Sequence, residues 1–544
     1  MVQIPATASV GDLLEYLGPG LLTGRKCPCW PPDVFALTAT VLRRSGAYVR
    51  VLDLLPKKEG DLLGSRWPEH ARKMAAVWRD ALNAGLRNWQ ESPEAPLDVP
   101  VPGQIDSAWV VVLRHAKRPL ADVLQQNALC RALLLLCLVA DEASSGIGIE
   151  TDDQDRFLEY AALQVLPEND LASVCLRIDP ERVRVLPKQH TSQRGITVRS
   201  LSHNLALCPA SEVEVLWNTP YALLSERKLD VLNLLLLPWP LEVSPKDFAI
   251  CSPESLPNPA EPYRFFSFRL QSEGKKTTAL VRYLRSALER AQEHVERVDC
   301  IVFPELALTS QEYMAAERLA VQNDALLIAG VNGQPGDQWF SAATNACFVQ
   351  PFGLTGIPKT SHDFIDRMRI RQSKHHRWCL DRNQIIQYGL GGVLPASKSC
   401  WELSEVGHRF LHFVTLGPWL TLSVLICEDL ARQDPVSEIL RAVGPNLVIA
   451  LLMDGPQLRS RWPSRYASVL ADDPGSSVLT ITSLGMAGRS RPSSLAEPDR
   501  SRTIALWRDV RYGEREIELP KDHNACVVSP GMRDDRRILG RRSR

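Results

Sequence analysis

Read as a pattern of apolar and polar positions, the chain changes character near residue 229. Beyond it, short aliphatic runs alternate with helix-period segments. Leu232 to Leu237, closed by Pro238, reads as a buried strand. A Pro-rich excursion, Leu241 to Tyr263, follows. Leu280, Leu284, Ala287, Leu288, Ala291 and Val295 then share one face of an amphipathic helix. Val298 to Phe303 predicts a second strand. Pro304 cannot continue a central ladder, so Glu305 lies at that strand's exit. Thr309-Ser310-Gln311-Glu312 is a capping box that opens a helix ending near Asn323. Strands are predicted over Ala325 to Val331 and Asn345 to Gln350. Leu420 to Ile426, apolar with a β-branched share, reads as a buried strand ended by Cys427-Glu428-Asp429. Val436 to Val443 reads as a helix, Asn446 to Leu452 as a strand, Arg465 to Leu470 as a helix and Ser477 to Thr482 as a strand. Arg502 to Val528 supplies closing strands. This alternation predicts an α/β layered domain.

Before residue 229 the pattern is helical in patches, over 34–42 and 71–86. Ala121 to Ala143 is strongly apolar and predicts a core helix of this region. Cys27-Pro28-Cys29-Trp30-Pro31-Pro32 reads as a Pro-rich loop, because no second Cys or His pair follows at zinc-site spacing. Ser92 to Pro102 reads as a linker or exposed loop. From 150 to 228 short apolar runs alternate with polar breaks, and the pattern assigns no element. The expected division is a mainly α-helical domain over 1–228, an α/β domain over 229–530 and a basic tail over 531–544.

Composition changes this picture little. A chain of 544 residues, 45% hydrophobic and 23% charged, has the length for two or more globular domains. Its 63 basic and 63 acidic residues cancel, so no global pull on nucleic acid is expected. The 13 cysteines are odd in number and scattered without a repeating spacing, and no signal peptide is visible. A reduced, cytoplasmic protein is the expectation. The longest aliphatic run, Ala132 to Ala140, is about half of what a membrane span needs.

The candidate chemistry lies at the strand ends. Glu305, Lys374 within Arg371 to Arg377, and Cys427 place a carboxylate, an ammonium and a thiol in chain order. A thiol at the carboxyl edge of a sheet stands where open α/β folds bind ligands. His375 and His376 read as surface or core histidines, since no carboxylate or cysteine completes a metal site at short spacing.

With Phe303-Pro304-Glu305, a middle-segment lysine and Ile426-Cys427-Glu428-Asp429, the region over roughly 229–530 resembles the nitrilase, or carbon–nitrogen hydrolase, superfamily. Gly330-Val331-Asn332, Asn345 and Phe352-Gly353 extend the resemblance. It implies an αββα four-layer sandwich and a thiol hydrolase acting on a small-molecule amide, in preference to a nitrile. By that resemblance Cys427 is the nucleophile and Glu305 the general base and acid, while Lys374 and the Glu428 N–H hold the oxyanion. Lys359 lies nearer the place simple members keep their lysine, but Lys374-His375-His376 better matches the family's context. Many members carry another glutamate after the lysine, where this chain has Asp381 to Gly389, with an aspartate and amides. No organic cofactor or metal is implied. The family also implies a homo-oligomer. An acyl transferase of the same fold is the close rival. A regulated or non-catalytic scaffold, whose N-terminal half binds a protein partner, is the reading from another class.

Overall fold

The structure, a computed structural model, describes residues 7–21, 26–52, 67–90, 99–149, 155–165, 173–191, 195–209, 212–219, 231–252, 264–270, 276–351, 366–417, 420–490 and 500–531. Lys359, Phe352-Gly353, most of the Ser92 to Pro102 stretch, the end of the Leu241 to Tyr263 excursion and the tail from 532 lie outside the described residues.

Two sheets carry the part after residue 229. The first has six strands, in the order Ile370–Ser373, Thr344–Gln350, Leu326–Gly333, Cys300–Val302, Leu234–Leu236 and Cys526–Val528. Its three central-to-inner strands, Leu326–Gly333, Cys300–Val302 and Leu234–Leu236, run parallel, and the flanking ones pair antiparallel. The second has seven, in the order Gly513–Glu518, Thr503–Asp509, Ser477–Thr482, Leu447–Leu452, Leu420–Ile426, Arg409–Gly417 and Val213–Asn218.

Alternation along the first sheet decides what each face meets. Leu234, Leu236, Cys300, Val302, Leu326 and Ile328 share a core with Leu422, Val424, Leu447 and Ile449 of the second sheet. Leu235, Ile301, Leu327 and Ala329 face the other way, into a separate core with Leu280, Leu284, Tyr313 and Ala316. Those partners come from helices Lys276–Ala291 and Ser310–Gln322, the latter opened by the Thr309–Glu312 capping box. Helix Trp462–Asp472 packs on strands Ser477–Thr482 and Thr503–Asp509. Fully burying each large aliphatic side chain contributes about 1.5–3 kcal/mol, so the sheets are held chiefly by these faces.

Before residue 229, helices Pro31–Ser45 and Trp67–Gln90 pack on Asn127–Ala143. Pro31 and Pro32 fit the first turn, where no N–H is needed, and Gly46 at φ 72° ends the helix. The single helix expected over Ala121 to Ala143 is instead a 3-10 turn, Leu120–Gln125, and a helix from Asn127, because Gln126 takes an extended conformation between them. The stretch without an assignment contains strands Val183–Pro187 and Leu205–Pro209, paired antiparallel. Strand Val213–Asn218, which precedes the expected boundary at 229, joins the second sheet parallel to Arg409–Gly417.

A four-stranded sheet forms beside these layers, in the order Cys379–Leu380, Cys400–Glu402, Arg264–Phe268 and Phe248–Ile250. Its core contains Phe248, Phe266, Trp378, Leu380 and Tyr388, together with Leu306 and Met453. Among the described residues, no helix is long and apolar enough to cross a membrane.

Candidate active site

Glu305 leaves strand Cys300–Val302 through Pro304, and the next residue, Leu306, sits at φ 53°. A non-glycine residue there is strained, and such strain collects at functional sites. The turn presses on the neighbouring strand: the Gly330 N–H donates to Pro304 O at 3.2 Å, and Leu308 N–H donates to Gly330 O at 3.1 Å. A Cβ at Gly330 would lie 2.3 Å from Pro304 O and 2.6 Å from Glu305 Cα. Gly330 is therefore glycine because the backbone carrying Glu305 occupies the space. Gly330→Ala is expected to cost about 1–3 kcal/mol of stability and to lower any activity that needs Glu305 in place. Urea unfolding checks the first part, and an unchanged midpoint would contradict it.

Lys374 follows strand Ile370–Ser373, and its N–H donates to Asn345 O at 2.8 Å. Its Nζ donates to Glu305 Oε1 at 2.8 Å and to Glu402 Oε2 at 2.7 Å. Asn345 Nδ2 bridges the same two carboxylates, at 2.7 Å from Glu305 Oε1 and 2.6 Å from Glu402 Oε1. The Trp378 N–H donates to Glu402 Oε2 at 3.0 Å. All of these side chains are buried. Among the described residues, Glu305 Oε2 is buried without a partner, and so is Asn345 Oδ1.

Cys427 ends strand Leu420–Ile426 and precedes the short helix Glu428–Ala431. It sits at φ 47°, and its N–H donates to Leu451 O of the adjacent parallel strand at 2.9 Å. The turn thus holds the thiol at the carboxyl edge of the second sheet. Asp429 accepts the His375 N–H at 3.1 Å on both carboxylate oxygens, and its Oδ1 lies 3.0 Å from His376 Nδ1. The acid two residues after the thiol therefore fastens the turn that carries Lys374. His375 Nε2 lies 2.9 Å from Phe410 O.

The electrostatics follow from burial. Burial, then the Glu305 carboxylate, pushes the Cys427 thiol well above its usual range, with Lys374 opposing. Burial also raises Glu305; the Glu402 charge adds to this, while Lys374 and Asn345 act against it. Burial alone would lower the Lys374 ammonium, but Glu305 and Glu402 outweigh it and hold its pKa well above the lysine range. The resting site is a neutral thiol beside a proton-hungry carboxylate and a fixed ammonium.

Of the residues singled out in the sequence, Glu305 and Lys374 are thus in direct contact, and both act electrostatically on Cys427. Glu428 is the first residue of the helix after the thiol, with its side chain paired to Arg432 at 3.0 Å. Glu402 is not among the residues that the sequence singles out. Asp381 to Gly389, where the chain has an aspartate and amides, opens helix Arg382–Gln387, and a glutamate in contact with Lys374 stands on strand Cys400–Glu402. The only sequence signal was a short apolar-flanked Cys400-Trp401-Glu402 within a polar stretch. Among the described residues, no group of three or more His, Cys, Asp or Glu side chains is arranged to hold a metal ion.

No protein-family model matches the chain, and no curated protein matches it. Solved structures similar to it are members of the nitrilase, or CN-hydrolase, superfamily. Nit3 from Saccharomyces cerevisiae, of branch 10 of that superfamily, is 11% identical, with 57% of this chain and 92% of that chain covered and a TM-score of 0.33. A CN-hydrolase superfamily protein from Xanthomonas campestris is 12% identical over 55% of this chain and 90% of that one, with a TM-score of 0.32. A nitrilase-superfamily amidase from Nesterenkonia AN1 is 10% identical over 56% and 92%, with a TM-score of 0.31.

Proposed function

We propose that the region after residue 229 is a thiol-dependent carbon–nitrogen hydrolase of αββα layering that cleaves a small-molecule amide. The observation that carries this reading is the buried Glu305–Lys374–Glu402 cluster beside a cysteine held at positive φ. A buried ion network of this kind is costly to build and adds little net stability over apolar packing, which makes chemistry its better explanation.

In the proposed reaction Glu305 takes the Cys427 proton as Sγ bonds to the carbonyl carbon. The ammonium of Lys374 and the Glu428 N–H hold the oxyanion, each such donor contributing about 3–4 kcal/mol to barrier lowering. Glu305 then passes its proton to the departing nitrogen, the C–N bond breaks, and a thioester with Cys427 remains. Water, deprotonated by Glu305, attacks the thioester and releases the acid and the thiol. Glu402 and Asn345 keep Lys374 and Glu305 in register throughout.

The test is a panel of simple amides, with and without added hydroxylamine, read by ammonia release and by the mass of Cys427 peptides. Free acid, with hydroxamate only when hydroxylamine is added, supports hydrolysis. Acyl products with amines and no free acid would replace it by acyl transfer. No turnover and no Cys427 adduct across the panel would count against the enzymatic reading.

A further inference from the structure

Strand Leu447–Leu452 runs parallel to the strand that ends in Cys427, with Leu451 opposite Ile426. Two residues beyond it, at the same carboxyl edge, stands Asp454, which is 4% exposed. Its backbone is clamped: Thr482 Oγ1 accepts the Asp454 N–H at 3.3 Å and donates to Asp454 O at 2.6 Å. Asp454 Oδ1 accepts from the Tyr388 hydroxyl and from Arg461 Nη2, the latter at 2.7 Å. The Gly455 N–H donates to the Tyr388 hydroxyl oxygen at 3.2 Å, and Arg461 Nη1 donates to Ser490 Oγ at 3.2 Å. Both donors to Oδ1 are thus themselves fixed. Asp454 Oδ2 is buried and has no partner among the described residues.

We infer that Asp454 is a substrate-recognition residue whose bare Oδ2 accepts a hydrogen bond from an N–H donor, above all an ammonium, carried by the amide that Cys427 attacks. The inference rests on the thiol reading above and adds the substrate class. A carboxylate oxygen left bare in the interior is costly, and a ligand that supplies a donor relieves the cost. The Tyr388 hydroxyl and Arg461 Nη2 both donate to Oδ1, and among the described residues no donor reaches Oδ2. Charge points the same way. Glu305, Glu402 and Asp454 set three carboxylates against the cations Lys374 and Arg461 in the buried surroundings of the thiol. Glu428 is paired with Arg432, and Asp429 lies against His376 and accepts the His375 N–H. Asp454 also acts on the Cys427 thiol, raising its pKa behind burial, Glu305 and Glu428. A carboxylate-bearing substrate would meet this negative balance, and an amine-bearing one would be drawn in.

The test uses three alkylating probes of similar size on the whole protein: 2-bromoethylamine, iodoacetamide and iodoacetate. Each rate at Cys427, read by peptide mapping, is divided by that reagent's rate with free cysteine. The expected order is ammonium, then amide, then carboxylate, with at least a tenfold span. Asp454→Asn, which keeps the shape and the oxygen facing Tyr388 and Arg461, should shrink the span severalfold. Arg461→Gln should widen it, which keeps the inference testable if the first variant folds poorly. Equal normalised rates in the parent, or a full span retained in Asp454→Asn, would overturn the inference while leaving the thiol chemistry standing. A Cys427 inert to all three probes would overturn both.

Discussion

Glu305→Gln is expected to lower turnover by about 10²–10⁴-fold while leaving the fold intact. Glutamine can keep an oxygen toward Lys374 Nζ and Asn345 Nδ2, which now lie 2.8 Å and 2.7 Å from Glu305 Oε1. It cannot accept the proton of Cys427. Burial and Glu402 raise the Glu305 pKa above 4.5, so the acid limb of the parent's rate profile should lie above the ordinary carboxylate range. In the variant that limb should vanish, and the residual rate should climb only as the high-lying thiol ionises. Stability supplies a second reading. A carboxyl group whose folded pKa is raised binds its proton more tightly when native, so the parent loses stability as pH rises from 4.5 through the folded value. Glu305→Gln removes that loss, so its stability relative to the parent should improve with pH. Rate profiles and urea midpoints from pH 4 to 9 check both. An unchanged rate profile would remove Glu305 from the chemistry.

Lys374→Ala is expected to be costly twice over. It strands Glu305 and Glu402, which now share one buried ammonium, 2.8 Å and 2.7 Å from their oxygens. Breaking a buried pair this way typically costs about 3–5 kcal/mol, because the remaining charges lose their counter-ion and keep only the neutral Asn345 and Trp378 donors. The two carboxylates then repel, and one of them retains a proton to a higher pH. Stability should therefore be nearest to the parent in acid and should fall further behind as pH rises through that raised pKa. With Lys374 as the proposed oxyanion donor, its loss should also lower turnover by about 10²–10³-fold at a pH where the variant is folded. Equilibrium unfolding at pH 5 and pH 8, paired with rates, separates the two effects. A pH-independent stability difference would mean that Lys374 does not neutralise the two glutamates.

Much of this was legible in the chain because the two sheets announce themselves by burial on both faces. Leu420–Ile426, apolar but for Thr421 and Ser423, and the wholly aliphatic Leu447–Leu452 stand where the pattern puts them. Thr309–Glu312 caps its helix through local bonds, which sequence spacing can encode. The strand toward Glu305 is shorter than the run Val298 to Phe303 suggests, only Cys300–Val302, because Pro304 and the strained Leu306 turn the chain early. Glu402 and Asp454 were not legible. Each becomes chemically meaningful only through partners from distant segments: Glu402 through Lys374 and Asn345, Asp454 through Tyr388 and Arg461. The strand Val213–Asn218 was obscured likewise, since its place is set by pairing with Arg409–Gly417 about two hundred residues on.

Competitive alkylation tests the central claim most directly. Of the 13 cysteines, Cys29, Cys251, Cys379 and Cys526 are partly exposed, and Cys427 is buried with the rest. Limiting iodoacetamide at pH 7, quenched early and read by peptide mapping, sets exposure against chemistry. If Glu305 and Lys374 activate the thiol toward an amide-bearing electrophile, Cys427 is modified first, ahead of the four more accessible thiols, and Glu305→Gln takes that lead away. If labelling simply follows exposure, with Cys427 among the last and indifferent to Glu305, the cluster does not serve a nucleophile and the account is wrong.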